Sequence, residues 1–221
     1  MKYVSFFTNS RGIVCKGFIE YLDTDSEYIF PLYLNEIIIE TDGFELLTID
    51  NPQQYSTKQL NQFDYEIRYP FNDRTKELLV LTNYKLETFI PIFVLEVSTA
   101  KIIEAELKIT LNHCGENEKR ECALLGRISS NSDLEAAFHE IQSELSPSYI
   151  MRTCSNCKNS TFNPYGGNEF FNQLCFVKEA KEFQKIESKA KMSIVEFMKF
   201  ENEKNFDSVL LTHTCEKFEA R

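Results

Sequence analysis

The sequence predicts an α+β protein in two parts. An antiparallel β-rich sandwich or curved sheet with one packed helix comes first, and a small cysteine module with one or two helices follows. Three observations point there. Apolar residues recur at every second position in much of the N-terminal part, the period of strands with one buried face. A single well-patterned helix follows over residues 132–146. Charge and cysteine usage then change together. Residues 1–150 carry 24 acids against 13 bases and residues 151–221 carry 10 against 11, while four of the seven cysteines fall in the second stretch. The boundary is placed at Ser146-Pro147-Ser148, where Pro and Ser close a helix and open a loop. An acidic domain over 1–147 and a cysteine module over 148–221, packed on the first, are therefore expected.

In chain order, strands are expected over residues 4–8, 17–21, 28–34 and 36–39. Phe63, Tyr65, Ile67 and Tyr69 alternate with Asp64, Glu66 and Arg68, which predicts a half-buried strand. Strands are also expected over 78–82 and 89–97; in the latter, Pro91 cannot donate to a ladder and argues for a start near a sheet edge. Ile103, Ala105, Leu107, Ile109 and Leu111 alternate with polar residues, and the polar stretch 115–120 turns into Cys122, Leu124, Gly126 and Ile128 in the same phase, a hairpin. Strands in such close succession favour an antiparallel architecture over alternating strands and helices. Ser132 and Glu135 form a capping box. Leu134, Phe138, Ile141 and Leu145 then make one apolar stripe, with Glu135, Gln142 and Glu144 opposite. Beyond the boundary, helices are expected over 179–189 and after Ser193.

Composition narrows the function classes. A net charge of −10 and a pI near 4.9 argue against a nucleic-acid surface, since phosphate binding rests on Lys and Arg. Residues 1–9 hold one basic residue and no apolar core of signal-peptide length, and the longest apolar run, 89–95, is far short of the roughly 20 residues that span a bilayer. With an odd number of cysteines, the expectation is a cytoplasmic protein with reduced or metal-bound thiols and no membrane partner. Walker, G-x-S-x-G, H-E-x-x-H and G-x-G-x-x-G signatures are absent, and seven glycines leave little for phosphate-cradling loops.

The strongest chemical signal is Cys154-Ser155-Asn156-Cys157, followed by Cys175 and Cys215 after intervals of 17 and 39 residues. Two thiolates across a tight two-residue turn can meet one tetrahedral ion, and four close the site with no position left for substrate. Structural zinc held by Cys154, Cys157, Cys175 and Cys215, in a zinc-ribbon-like module, is the expectation, with His213 as the alternative fourth ligand. The turn-forming run 163–168 can return the chain to the ion. A redox dithiol normally opens a helix, and the residues after Cys157 start none. Buried but unrelated thiols are the plain alternative.

The combination of Cys154-x-x-Cys157, Ser160, Asn163-Pro164-Tyr165-Gly166, Leu174-Cys175-Phe176 and Cys215-x-x-Phe218-x-x-Arg221 resembles an uncharacterised bacterial family, a domain of unknown function. The resemblance covers about the last seventy residues, and Val177 stands where such sequences often carry Arg. It implies a β-rich bacterial protein ending in this cysteine segment, and no activity.

Other groups have simpler readings. Residues 23–27 resemble the start of a calcium loop, but Tyr28 and Leu34 occupy the Gly and Glu places of an EF-hand. His113, Cys114 and Cys122 lack a C-x-x-C knuckle, and Cys122 reads as core. His139 reads as a solvated helical residue and Cys15 as a strand residue. Lys178, Lys181, Lys185, Lys189 and Lys191 are interleaved with glutamates and read as a solvated face. The function expected is that of a non-enzymatic protein-binding module, its partner another protein, with an immunity-type inhibitor of a basic toxin as the sharpest form. An enzyme of unrecognised class with a structural zinc, and a zinc-ribbon nucleic-acid-binding protein, are the alternatives.

Overall fold

The computed structural model describes residues 1–23, 28–41, 46–70, 75–115, 117–131, 134–162, 173–176, 178, 180–183, 207–210, 212–213 and 215–220. The chain forms two compact units, one from Met1–Ile90, Lys108–Cys122 and Ser130–Ser132, the other from Pro91–Leu107, Ala123–Ser129 and Asp133–Arg221. Segment 148–221 thus falls wholly in the second unit, together with the helix before it.

Strands in chain order are β1 (Lys2–Asn9), β2 (Val14–Glu20), β3 (Leu22–Asp23), β4 (Tyr28–Ile29), β5 (Leu32–Leu34), β6 (Ile37–Thr41), β7 (Leu47–Ile49), β8 (Asp64–Arg68), β9 (Leu78–Thr82), β10 (Tyr84–Glu96), β11 (Lys101–Cys114), β12 (Asn117–Leu124), β13 (Arg127–Asn131), β14 (Tyr149–Met151), β15 (Ser160–Phe162), β16 (Gln173–Cys175) and β17 (Asp207–Val209). The helices are α1 (Thr57–Leu60), α2 (Leu134–Leu145) and α3 (Ala180–Phe183). Every pairing with a defined register among the described residues is antiparallel. The strand-rich antiparallel character expected from the alternation is present.

In the first unit the strand order is β12-β11-β10-β1-β2-β5-β6-β7-β9-β8. Alternation supplies the core: every second residue of β10 from Tyr84 to Ile90 is buried. Phe7, Ile19, Leu32, Leu34, Ile37 and Ile39 are all 0% exposed, and each such side chain contributes about 1.5–3 kcal/mol of transfer free energy. Gly17 of β2 sits where a Cβ would come within 1.9 Å of the Tyr33 carbonyl oxygen on the paired strand β5. Only a residue without a side chain permits that approach.

Four local expectations are corrected. β10 has neighbours on both sides rather than an edge. Pro91 falls between the stretch paired with β1, which ends at Phe89, and that paired with β14, which starts at Val94. Its missing N–H therefore removes no bond from either ladder. The strand expected over 28–34 divides into β4 and β5. Ile128 does not continue the Cys122–Leu124 phase, because Leu125 (φ 49°) and Gly126 (φ 77°) make a two-residue hairpin turn that leaves Ile128 64% exposed. Finally, β8 lies at the end of the strand order and none of its residues is buried, with Ile67 and, just past its last residue, Tyr69 each 54% exposed, so the expected buried face is not formed. The short helix α1, capped by reciprocal Ser56 and Gln59 bonds, was not anticipated.

In the second unit, the far ends of β10, β11 and β12 continue with β13, and β14 pairs with β10. The expected stripe of α2 is buried at Leu134, Phe138, Ile141 and Leu145. The capping box at Ser132 lies outside the described residues. Strands β15, β16 and β17 form a separate three-stranded antiparallel sheet. The expected helix over 179–189 is represented by α3, with its remainder and the helix after Ser193 outside the described residues. Among the described residues, no helix is long and apolar enough to cross a membrane.

Candidate metal centre

The C-x-x-C segment is a 3-10 turn over Cys154–Asn156. The Cys157 N–H donates to the Cys154 carbonyl at 3.1 Å, and the Asn156 N–H to that of Thr153 at 3.0 Å. Ser160 closes the turn from beyond: its hydroxyl donates to the carbonyls of Cys154 and, at 3.1 Å, Cys157, and its N–H bonds the Cys157 carbonyl at 3.2 Å. These bonds satisfy the carbonyls and fix the backbone of the tight turn that carries both cysteines.

Two further stretches are tied to this turn. The Phe176 N–H bonds the Asn159 carbonyl at 2.8 Å, and β16 pairs with β15 so that Cys175 stands opposite Ser160. From the C-terminal part, the His213 carbonyl accepts from the Cys154 N–H at 2.8 Å, the Glu219 carbonyl from the Lys158 N–H at 2.8 Å, and Cys157 bridges Ala220. Lys158 and Glu219 also form an ion pair. Cys215 lies between these ties in a turn closed by Phe218 N–H to Cys215 O at 3.2 Å.

One positioning residue escaped the sequence reading. Gln142 of α2, placed opposite the apolar stripe, is half-buried, and its side-chain oxygen accepts from the Met151 N–H at 2.8 Å and from the Asn156 side chain at 3.1 Å. Its amide donates to the Tyr149 carbonyl at 3.1 Å. The signal was available: at 100° per residue, Gln142 stands only about 40° from Phe138, on the flank of the stripe.

All seven cysteines are free thiols, and their environments differ. Cys154 and Cys175 pack with Val209 in a small buried cluster. A hydrogen bond with the Cys175 thiol pushes the Cys154 thiol far above its usual range, reinforced by burial and by the fields of Cys175, Cys157 and Cys215. Cys215 is raised chiefly by burial, with Cys175 and Cys157 adding to it, while a Lys217 backbone bond and the Arg152 charge pull the other way. The guanidinium of Arg152 lies over the Phe218 ring at 5.5 Å. Cys215 also lines a cavity of about 440 Å³ with Phe93, Arg152 and Glu216. The four expected ligands, from three stretches of chain, thus lie within one another's electrostatic reach. What reaches Cys154 from His213 is its backbone carbonyl.

Among the described residues, no group of three or more His, Cys, Asp or Glu side chains stands in metal-holding geometry. The fields that act between the thiols extend well beyond a Zn–S bond of about 2.3 Å, so the thiols are grouped without standing at ligand distances from one point. The donor chemistry suits zinc, which takes four thiolates in closed tetrahedral sites.

The remaining groups have surroundings of their own. Burial alone pushes the Cys122 thiol up to about 12, with no contribution from His113 or Cys114. Cys114 is exposed, and His113 stacks on Tyr84 at 5.3 Å. Cys15 is buried in β2, and its thiol is raised by burial against a hydrogen bond from Asn35. His139 is exposed on α2. Lys178 and Lys181 are exposed, while Lys185, Lys189 and Lys191, like the calcium-like residues 24–27, lie outside the described residues. No family model, curated protein or solved structure matches this chain.

Proposed function

We propose that the chain is a non-enzymatic binding protein whose C-terminal segment is a structural zinc module held by Cys154, Cys157, Cys175 and Cys215. One observation carries this reading: the Cys154–Cys157 turn is tied by backbone bonds to the strand of Cys175 and to the stretch that holds Cys215, and Cys154 and Cys175 pack together and are hydrogen-bonded. Neutral thiols pack as small apolar groups, and burial together disfavours ionising any one of them alone. A divalent ion inverts it by taking the thiolates and releasing their protons. Four thiolates and Zn²⁺ leave a charge of −2, and Arg152 beside Cys215 is placed to offset part of it. The three-stranded sheet β15-β16-β17 beside a cysteine knuckle is also what a zinc-ribbon-like module would need.

The binding role rests on charge. Residues 1–150 hold 24 acids against 13 bases, a field that speeds encounter with a basic protein and weakens with salt. An immunity-type inhibitor of a basic toxin is the sharpest form of this reading, and the bacterial resemblance of the cysteine segment motivates it.

Elemental analysis of the purified protein tests the module. About one zinc per chain is expected, lost in Cys154→Ser and strongly weakened in Cys215→Ser. A metal-free wild type whose two variants fold like it would sink the assignment. For the binding role, a complex with a basic protein that dissociates as salt rises is the expected result, and a salt-insensitive complex would contradict it.

A further inference from the structure

Strand β8 ends the strand order of the first unit, with β9 on one side and, among the described residues, no strand on the other. Its outer edge offers backbone donors and acceptors to another extended chain. Tyr65 (38% exposed) and Ile67 (54%) share one face of β8 and Glu66 and Arg68 the other, and Tyr69, also 54% exposed, directly follows the last residue of the strand. Tyr65 and Ile67 stand opposite Leu81 and Leu79 of β9, which are buried like Val80 opposite Glu66, so β8 is the exposed margin of a strand buried on both faces.

We infer that β8 pairs with β8 of a second copy of this chain, antiparallel about a two-fold axis through Ile67. Charge selects both the occupant and the register. In a symmetric antiparallel pair, like faces meet only when the axis passes through a residue. An axis at Glu66 or Arg68 sets that residue against its own like charge. An axis at Tyr65 sets Asp64 against Glu66, and Asp64 is already engaged by the Ser10 amide and hydroxyl at 3.0 and 2.6 Å. The axis at Ile67 instead places Glu66 opposite Arg68 twice, Tyr65 opposite Tyr69 twice, and Ile67 opposite itself. Charges on an edge strand ordinarily deter pairing. Here the Glu66–Arg68 pair, now formed within one chain at 3.2 Å with both side chains more than half exposed, is self-complementary across the axis. Pro70 directly follows and ends the ladder. The pairing extends the strand by one residue to Tyr69, and five residues make a small interface, so the dimer is weak.

Sedimentation equilibrium of the full chain over a wide concentration range reads this directly. The wild type should pass from 25.8 kDa toward twice that mass. Arg68→Glu, which sets Glu against Glu, should weaken association by about tenfold or more. The charge-swapped double variant Glu66→Arg/Arg68→Glu should restore it. Both positions are exposed, and circular dichroism checks that each variant is folded. Independently, Ile67→Cys should cross-link to itself under mild oxidation well above the wild-type background, and Tyr65→Cys should not, because Tyr65 faces Tyr69. A wild type that stays monomeric, an Arg68→Glu variant that associates normally, a swap that fails to rescue, or equal cross-linking at both positions overturns the inference.

Discussion

The sheet of the first unit and the cysteine turn of the second bury their chains by different means. In the sheet the interior is apolar, with Phe7, Ile19, Leu32, Leu34, Ile37 and Ile39 fully enclosed. Around the turn the buried residues are Thr153, Cys154, Ser155, Asn156, Cys157, Asn159 and Ser160. Burying hydroxyls and amides gains little transfer free energy and is tolerable only when they are bonded. The thiols repeat the contrast. Cys122 is raised by burial alone, as an isolated core thiol should be, whereas Cys154 is raised first by another thiol. One region is held by area removed from water. The other needs a hydrogen-bond network and, on our reading, a metal ion.

The sharpest way to break that contrast is to remove the ion. Chelation should expose Cys154, Cys157, Cys175 and Cys215 to a thiol reagent, with half-buried Cys215 beside its cavity reacting first, while Cys122 and Cys15 stay protected. Zinc-finger peptides gain about 10–16 kcal/mol of apparent binding energy, so the loss should be several kcal/mol. Counting reactive thiols with and without chelator checks it, and an unchanged count would erase the distinction.

A single methyl should break the first unit instead. Gly17→Ala drives a Cβ against the Tyr33 carbonyl, a backbone group that cannot swing aside. A loss of about 3 kcal/mol is expected in urea denaturation, with zinc content unchanged. Next in size, Gln142→Leu leaves the Met151 N–H and the Asn156 amide without their shared acceptor. A loss of about 2 kcal/mol with weakened zinc retention should follow. Equal loss at normal zinc affinity would make Gln142 a support of α2 alone.

The smallest effect concerns pH. The Ser10 hydroxyl, more than any other group, holds the Asp64 carboxyl below its usual value. A depressed folded pKa gives stability that is present above the unfolded value and lost as pH falls through the folded one. Ser10→Ala should raise the Asp64 pKa in a carboxyl NMR titration and cost no more than about 1 kcal/mol at neutral pH, because the site is solvent-screened.

Much of this was legible from side-chain order. Residues 78–82 are β9 to the residue, the stripe of α2 is buried as its spacing requires, and the β11 alternation puts Leu107, Ile109 and Leu111 inside. These patterns are local, and period alone decides them. Gln142 and Pro91 were misread because their roles depend on what lies alongside: the turn at Asn156 for one, a gap between β1 and β14 for the other. The same holds for Tyr65 and Ile67. Their alternation promises a strand, but only the strand order makes it an edge.

The sequence by itself determined strand-rich antiparallel character, one packed helix and a set of four cysteines, because periodicity and residue type are written residue by residue. Only the tertiary structure decided that three distant stretches bring those thiols into one another's field, and that the Ile67 row lies on the last strand of the order among the described residues. Both are matters of through-space neighbours separated by many residues of chain, which no local pattern encodes.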